Sequence, residues 1–136
     1  MAEQTGYRFE VMLDRSVYYV NAMPPGPPII PTMEVTLVLS NRKAEPLTLT
    51  FDSAQRFDLI IVDKGGSEIW RLSQGRAYRR EGETVTIADQ WLVKEKVKLA
   101  DRKGDPLPDG YYQLKAVLTA QPRLSAEIVF EVKTLH

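Results

Sequence analysis

The residues that could carry out chemistry are few in this chain and lie far apart. The only histidine is His136, the last of 136 residues, and cysteine is absent. Chain ends are usually too mobile to position a catalytic base, so neither Ser-His-Asp nor Cys-His catalysis has support. Zinc sites built from histidine and cysteine fail for the same reason. The phosphate-binding patterns G-x-x-x-x-G-K-[ST] and G-x-G-x-x-G do not occur. The sequence therefore predicts no catalytic site and no cofactor.

Two acidic turns superficially resemble calcium loops, at residues 63–66 (DKGG) and 101–105 (DRKGD). Neither has the alternating acidic ligands of an EF-hand, and basic residues at the inner positions oppose cation binding. A carboxylate pair at hydrolase spacing could arise from the 18 acidic residues, but nothing in the sequence selects one. We therefore expect hairpin turns, no metal site and no enzymatic activity.

Charge is balanced, with 18 basic and 18 acidic residues along the whole chain. The densest basic cluster, residues 76–80, sits beside Glu81 and Glu83 and is typical of a solvated loop rather than a nucleic-acid contact. The first residues lack the basic and apolar regions of a signal peptide, and no apolar run approaches the roughly 18 residues of a membrane span. These features predict a cytoplasmic protein without nucleic-acid or membrane partners, although a signal peptide already removed would leave no trace here.

Alternation of apolar and polar residues recurs from end to end and predicts strands. It is clear around Phe9, Val35 and Leu49, and most regular in residues 112–118 and 124–132. Roughly eight or nine short strands, with turn signals about every 8 to 12 residues, are typical of a sandwich or barrel. We expect one domain over residues 1–136, folded as an all-β, immunoglobulin-like antiparallel sandwich.

Residues 49–78 carry the most specific pattern in the chain, F-x-S-x-Q-x-F-D-x-x-x-V-D, a turn with glycine, and then W-R-x-S-x-G-x-x-Y. The pattern resembles the intracellular proteinase inhibitor (BsuPI) family. The matching residues are Phe51, Ser53, Gln55, Phe57, Asp58, Val62, Asp63, Gly66, Trp70, Arg71, Ser73, Gly75 and Tyr78. The D-G-x-Y turn of residues 109–112 also fits, whereas Ala54 stands where the family often has glycine.

The resemblance implies a protein-binding module that inhibits intracellular serine proteinases of the subtilisin type. The signature residues themselves are interpreted as structural. Trp70 is expected in the core, Arg71 beside a carboxylate such as Asp58 or Asp63, and Gly75 in a turn shaped with Ser73. Gln55 is expected to satisfy backbone groups where the chain crosses between sheets. The competing interpretation is that the exposed members form the partner-binding surface.

A rigid sandwich can inhibit a protease by presenting an extended loop that pairs with the substrate cleft. Three loops are candidates: residues 23–31, 73–83 and 101–110. The first, MPPGPPIIP, is called the proline segment here and holds five of the nine prolines. Its prolines fix the backbone but remove N–H donors needed for pairing. The candidate contact residues in the first two loops are Pro24, Pro25, Pro27, Pro28, Ile29, Ile30, Arg76, Tyr78, Arg79 and Arg80.

The predicted strand at residues 57–62 is apolar on both faces, because Ile60 and Val62 lie opposite the core-facing side. Something is expected to cover them. The preferred hypothesis is that Ile29 and Ile30 fold back over this face, and the alternative is a homodimer contact.

Two other functions remain open from the sequence. One is a non-inhibitory immunoglobulin-like structural or adhesion module, since a fold does not fix a function. The other is a carbohydrate-binding sandwich. The consecutive tyrosines at residues 18–19 and 111–112 place one ring on each face of a strand, which favours core plus surface over a flat sugar platform.

Overall fold

A computed structural model describes residues 2–4, 6–23 and 25–136 of the chain. The described residues contain no helix and form twelve strands. Their bounds are β1 Ala2–Gln4, β2 Tyr7–Leu13, β3 Val17–Asn21, β4 Thr32–Asn41, β5 Leu47–Phe51, β6 Phe57–Val62, β7 Glu68–Arg71, β8 Glu83–Ile87, β9 Gln90–Lys98, β10 Gly110–Leu118, β11 Ala120–Gln121 and β12 Leu124–Leu135.

The strands form three sheets, with the orders β1-β2-β4-β9, β3-β12-β10-β6-β7 and β11-β5-β8. All paired strands are antiparallel except β3 and β12, which run parallel. The consecutive strands β8 and β9 pair with the consecutive strands β5 and β4, respectively. The small sheet therefore continues the β4–β9 ladder beyond an interruption at residues 42–46 and 88–89. The all-β sandwich is confirmed, and its strands outnumber the expected eight or nine because such interrupted or very short strands count separately.

The core lies between the sheets and follows the predicted alternation. Leu37 and Leu39 from β4 are 1% and 0% exposed, and Leu59 and Leu114 from the five-stranded sheet are 0% exposed. Removing such side chains from water is the main term that stabilises a sandwich of this size. In β9, Val97 is buried near the end of the strand.

Aromatic packing fixes the end of the sandwich at which β3 and β12 finish. The Phe130 ring contacts Tyr18 edge-on at 5.9 Å and stacks on Tyr112 at 5.7 Å. The Tyr112 hydroxyl donates to the carbonyl of Pro108, four residues upstream. This arrangement is the tyrosine corner of immunoglobulin-like sandwiches. As predicted, the neighbouring rings point outward, with Tyr19 47% and Tyr111 58% exposed.

Asn41 holds the interruption between β4 and β5. Its side chain is buried, and its amide nitrogen donates to the carbonyls of Glu45 at 2.9 Å and Ile87 at 3.0 Å. Its Oδ1 accepts from the amide of Lys43 at 3.0 Å, and its backbone N–H donates to the carbonyl of Asp89. One side chain therefore satisfies backbone groups that the broken ladder would leave unpaired.

Candidate functional site

The proline segment leaves the sandwich where β3 ends and returns where β4 begins. Both of its ends are tied by backbone hydrogen bonds. Asn21 and Ile29 exchange two of them, at 3.1 Å and 2.8 Å, which closes the segment into a loop. The carbonyl of Pro31 accepts from the amide of Leu99 at 3.1 Å, and Ala22 donates to the carbonyl of Leu135 at 2.9 Å. The loop therefore rises from a base that three other parts of the chain fix in place.

The tip of this loop is exposed. Residues 25–28 are exposed, and Gly26 has φ of 107°, a backbone conformation that strongly favours glycine. Two large apolar side chains flank the tip, Met23 at 49% and Ile29 at 68% exposure. Pro24 lies outside the described residues. The segment therefore combines a fixed backbone with apolar side chains open to a partner.

The expectation that Ile29 and Ile30 cover Ile60 and Val62 is wrong. Ile29 lies beside β3, at the opposite edge of the five-stranded sheet from β6 and β7, and is mostly exposed. Ile30 instead packs against the core. Ile60 is half-buried, and Val62 is 7% exposed.

Neighbouring strands explain why this face needs no cover from the loop. In the register, Ile60 lies between Arg71 and Lys115, and Val62 lies beside Gln113. Long polar side chains commonly lay their aliphatic stems over apolar neighbours while their heads stay in water.

The second candidate loop, residues 73–83, leaves β7 in the direction away from the proline segment. Arg76 forms an ion pair with Glu95 at 3.8 Å, and Arg79 pairs with Glu81 at 3.7 Å. The carbonyl of Arg79 accepts from the amide of Ala54 at 2.8 Å. Exposed ion pairs of this kind contribute little, but the backbone bond ties the loop to the body. Arg80 is exposed and Tyr78 is half-buried.

The third candidate loop, residues 101–110, joins β9 to β10. Leu99, two residues before it, donates to the carbonyl of Pro31, and Ala100 and Pro106 form an isolated antiparallel bridge. Asp101 Oδ1 accepts from the amides of Lys103 at 2.9 Å and Asp105 at 3.0 Å. The acidic side chain therefore builds the turn itself.

Arg102 of the third loop pairs with Glu68 of β7 at 2.8 Å, and Asp101 and Arg102 line one cavity with Gln74 of the second loop. The structure therefore brings the second and third loops close together, and only the base of the proline segment is tied to the segment that leads into the third.

Asp58, Arg71 and Ser73 form a polar cluster on the outer side of β6 and β7, called the Asp58 network here. Asp58 is buried, with 5% of the residue exposed, and its carboxylate accepts four hydrogen bonds. Oδ1 accepts from the amides of Leu59 at 3.0 Å and Ser73 at 3.1 Å, and Oδ2 accepts from Ser73 Oγ at 2.6 Å and Arg71 Nη1 at 3.1 Å. Asp58 is thus one of the two carboxylates expected to pair with Arg71.

A second carboxylate extends this network toward solvent. Glu68 Oε1 accepts from Arg71 Nη2 at 2.6 Å, and its Oε2 accepts from Arg102 at 2.8 Å. The hydrogen bond from Arg71 lowers the pKa of Glu68, and Glu68 in turn raises the pKa of Arg71. Both groups therefore stay charged across the physiological range.

The other signature residues support the same local structure. Trp70 packs against the core while remaining half-buried, and Gly75 has φ of 79° in the turn after β7. Gln55 Nε2 donates to the carbonyl of Phe57 at 3.4 Å, and the Gln55 carbonyl accepts from Thr119 Oγ1 at 2.8 Å. The Asp63 carboxylate accepts from two amides of its own hairpin turn.

Sequence reasoning missed a buried tyrosine contact below the proline segment. Tyr18 is 2% exposed, and its hydroxyl donates to Asp14 Oδ1 at 2.6 Å. Burial, and then the bond to Asp14, raise the pKa of Tyr18. Burial opposes ionisation of Asp14, but hydrogen bonds from Tyr18 and the Glu34 amide outweigh it and lower its pKa. The signal was the polar Asp14 four residues before a core tyrosine, in the turn that joins β2 to β3.

The described residues offer no group of three or more acidic, histidine or cysteine side chains that could hold a metal ion. Within the same residues, no helix has the length and apolar character needed to cross a membrane.

The family model BsuPI, described as intracellular proteinase inhibitor, matches residues 26–123. No curated protein matches the sequence. Among solved structures, the chain resembles the CARDB domain of the PF1109 protein from Pyrococcus furiosus, solved in complex with di-metal ions. That match has a TM-score of 0.51 and 13% identity, and covers 96% of this chain and 94% of that one.

A second match is the alkylpurine DNA glycosylase AlkC of Pseudomonas fluorescens, with a TM-score of 0.53 and 13% identity. It covers 94% of this chain but only 30% of the glycosylase. At this identity both likenesses concern the fold alone.

Proposed function

Because the chain belongs to the intracellular proteinase inhibitor (BsuPI) family, we propose that it inhibits a serine proteinase of the subtilisin type by presenting a loop from its rigid sandwich. Members of a proteinase inhibitor family bind a protease without catalysing a reaction, so family membership also supports a non-enzymatic role. The description of the family as intracellular supports a cytoplasmic location for the complex.

The proline segment is the proposed contact. The observation that carries this choice is its closed base: the Asn21–Ile29 pair holds the backbone, while Ile29 stays 68% exposed. A loop that is already ordered loses less conformational entropy on binding, which favours tight association.

Residues 73–83 are a weaker candidate for the contact. Arg76 and Arg79 already pair with carboxylates of this chain. Entry of either arginine into a protease pocket would first have to break its ion pair.

Stoichiometric titration tests the function. Increasing amounts of the domain are added to a subtilisin-type intracellular protease, activity on a peptide substrate is measured, and mass spectrometry follows the domain. Saturable inhibition with an uncut chain is expected. Ile29→Asp should abolish inhibition, whereas Arg79→Ala should leave it unchanged. No inhibition across several such proteases would instead favour the non-inhibitory immunoglobulin-like module.

Self-association through the face of Ile60 and Val62 is a separate part of the proposal. Val62 is only 7% exposed and contributes little area to this face. Gln113 lies opposite Val62 on one side and Val129 on the other, and Val129 is 57% exposed. Sedimentation equilibrium should therefore give a dimer that Val129→Asp converts to a monomer. A wild-type chain that is monomeric at every concentration would remove the dimer and leave the inhibitor proposal intact.

A further inference from the structure

The proline segment has few backbone donors left to offer a partner. Four of residues 22–29 are prolines, which have no amide hydrogen. Among the other four, Ala22 donates to the Leu135 carbonyl at 2.9 Å and Ile29 to the Asn21 carbonyl at 2.8 Å. Met23 donates to Asn21 Oδ1 at 3.1 Å. In the whole segment, two N–H groups, those of Gly26 and Ile30, are left without an acceptor among the described residues.

This shortage matters because substrate-like inhibitors bind as an added antiparallel strand. Such a strand pairs through N–H and C=O groups of alternate residues. Here most of the donors are missing or already used within the chain, and the two that remain, at Gly26 and Ile30, are four residues apart with Pro28 between them. In addition, the φ of 107° at Gly26 interrupts the extended backbone that a strand requires.

The two large apolar side chains that flank the loop tip are, by contrast, exposed and free to contact a partner. Ile29 is 68% exposed, although its backbone N–H and C=O both form hydrogen bonds with Asn21. Met23, on the other side of the loop tip, is 49% exposed. Binding would bury these side chains without the cost of ordering the backbone. The loop carbonyls can still accept hydrogen bonds from a partner.

We infer that the proline segment binds its protease as an apolar plug rather than as a substrate-like strand. Ile29 and Met23 enter an apolar depression of the protease, and N–H or O–H donors at its rim bind the loop carbonyls. The chain is not cleaved in this loop because no peptide bond is held by strand pairing. This inference rests on the proposed function and specifies how the contact is made.

Restoring amide donors distinguishes the two binding modes. Pro27→Ala and Pro28→Ala each add an N–H to the loop and loosen it. Ile29→Ala and Met23→Ala remove apolar contact and leave the donors unchanged. The matched control is Leu92→Ala, because Leu92 is 52% exposed on the outer face of the β1-β2-β4-β9 sheet. Thermal unfolding of each variant verifies that it folds.

Affinity is measured by calorimetry with a subtilisin-type protease whose nucleophilic serine is replaced by alanine. The active enzyme then tests each variant for cleavage by mass spectrometry. We expect Ile29→Ala to weaken binding at least about tenfold and Met23→Ala to weaken it less, with Leu92→Ala unchanged. Neither proline variant should bind more tightly or be cut in the loop.

Tighter binding of Pro27→Ala or Pro28→Ala, or cleavage within residues 23–30, would overturn the plug in favour of a substrate-like strand. Unchanged affinity of both Ile29→Ala and Met23→Ala would also overturn it while leaving the inhibitor function in place. A wild-type domain that does not bind at all would overturn the proposed function and the plug together.

Discussion

Hydrogen bonds within the chain hold both the proline segment and the Asp58 network in place, but the two regions differ in which side chains remain exposed. In the Asp58 network, four donors converge on one buried carboxylate, and little of its surface remains for a partner. In the proline segment, hydrogen bonds hold only the base of the loop, and the apolar side chains Met23 and Ile29 stay exposed.

This contrast indicates a division of roles. A buried carboxylate with several donors ties strands together, and losing it leaves those donors unsatisfied. An exposed apolar side chain on a fixed backbone contributes little to folding and is available for binding. The contrast therefore predicts large stability effects in the network and small ones in the loop.

Removing Asp58 should give the largest effect. Asp58→Ala leaves the Ser73 hydroxyl, Arg71 Nη1 and two amides without their acceptor, and should lower the free energy of unfolding by about 3 kcal/mol. Urea unfolding at neutral pH measures it. Asp58→Asn, which keeps one carbonyl oxygen, is the control and should lose less. Equal stability of Asp58→Ala and wild type would contradict a structural role for the network.

Asn41 extends the comparison to a residue that the family signature does not include. Asn41→Ala should cost about 2 kcal/mol, because the carbonyls of Glu45 and Ile87 lose a donor in a buried position. Asn41→Asp, which is similar in shape but lacks the N–H donors, should cost about as much in the same unfolding experiment. A neutral effect of Asn41→Ala would show that the interruption after β4 needs no side-chain support.

Tyr18 belongs to neither region and lies in β3, the strand that leads into the proline segment. Tyr18→Phe should cost about 1 kcal/mol at neutral pH through the lost bond to Asp14. Since the folded pKa of Tyr18 lies above its ordinary value of 10.0, the unfolded chain releases this proton first as pH rises. The stabilisation is complete below about pH 10 and is lost progressively above it.

Urea unfolding between about pH 8 and about pH 11 checks this dependence, with Tyr18→Phe beside the wild type. The variant should show a weaker alkaline loss of stability. Part of the loss should remain, because burial also raises the pKa of Tyr112, with nearby Asp63 and Asp109 adding to the shift. Identical pH profiles would exclude Tyr18 as a source of the alkaline effect.

Ile29 should give the smallest effect on folding. Ile29→Ala is expected to change the free energy of unfolding by less than about 0.5 kcal/mol, since the side chain is mostly exposed and its backbone bonds to Asn21 persist. The same urea experiment measures it. A loss above about 1 kcal/mol would mean that Ile29 supports the fold, and the distinction between the two regions would disappear.

Much of the fold could be predicted because alternation and turn chemistry are local. A residue such as Leu37 or Leu114 faces the core by its position in a strand, so the pattern alone predicts the buried side of β4 and β10. The turn after β6 follows equally from its aspartate and glycines. The strand pattern also predicted the sandwich, and the resemblance implied the same fold. The position of Arg71 on the strand face opposite Trp70 predicted its pairing with a nearby carboxylate.

The sequence by itself determined the all-β class, the absence of cysteine chemistry and a loop stiffened by proline, because each depends on residue type and local spacing. Only the tertiary structure decided that Ile29 binds Asn21 and not the face of Ile60, since strand order places the two at opposite edges of one sheet. It also decided which amides of the loop are already used. Hydrogen bonds between residues distant along the chain depend on how strands are ordered and registered, and no local pattern specifies that order.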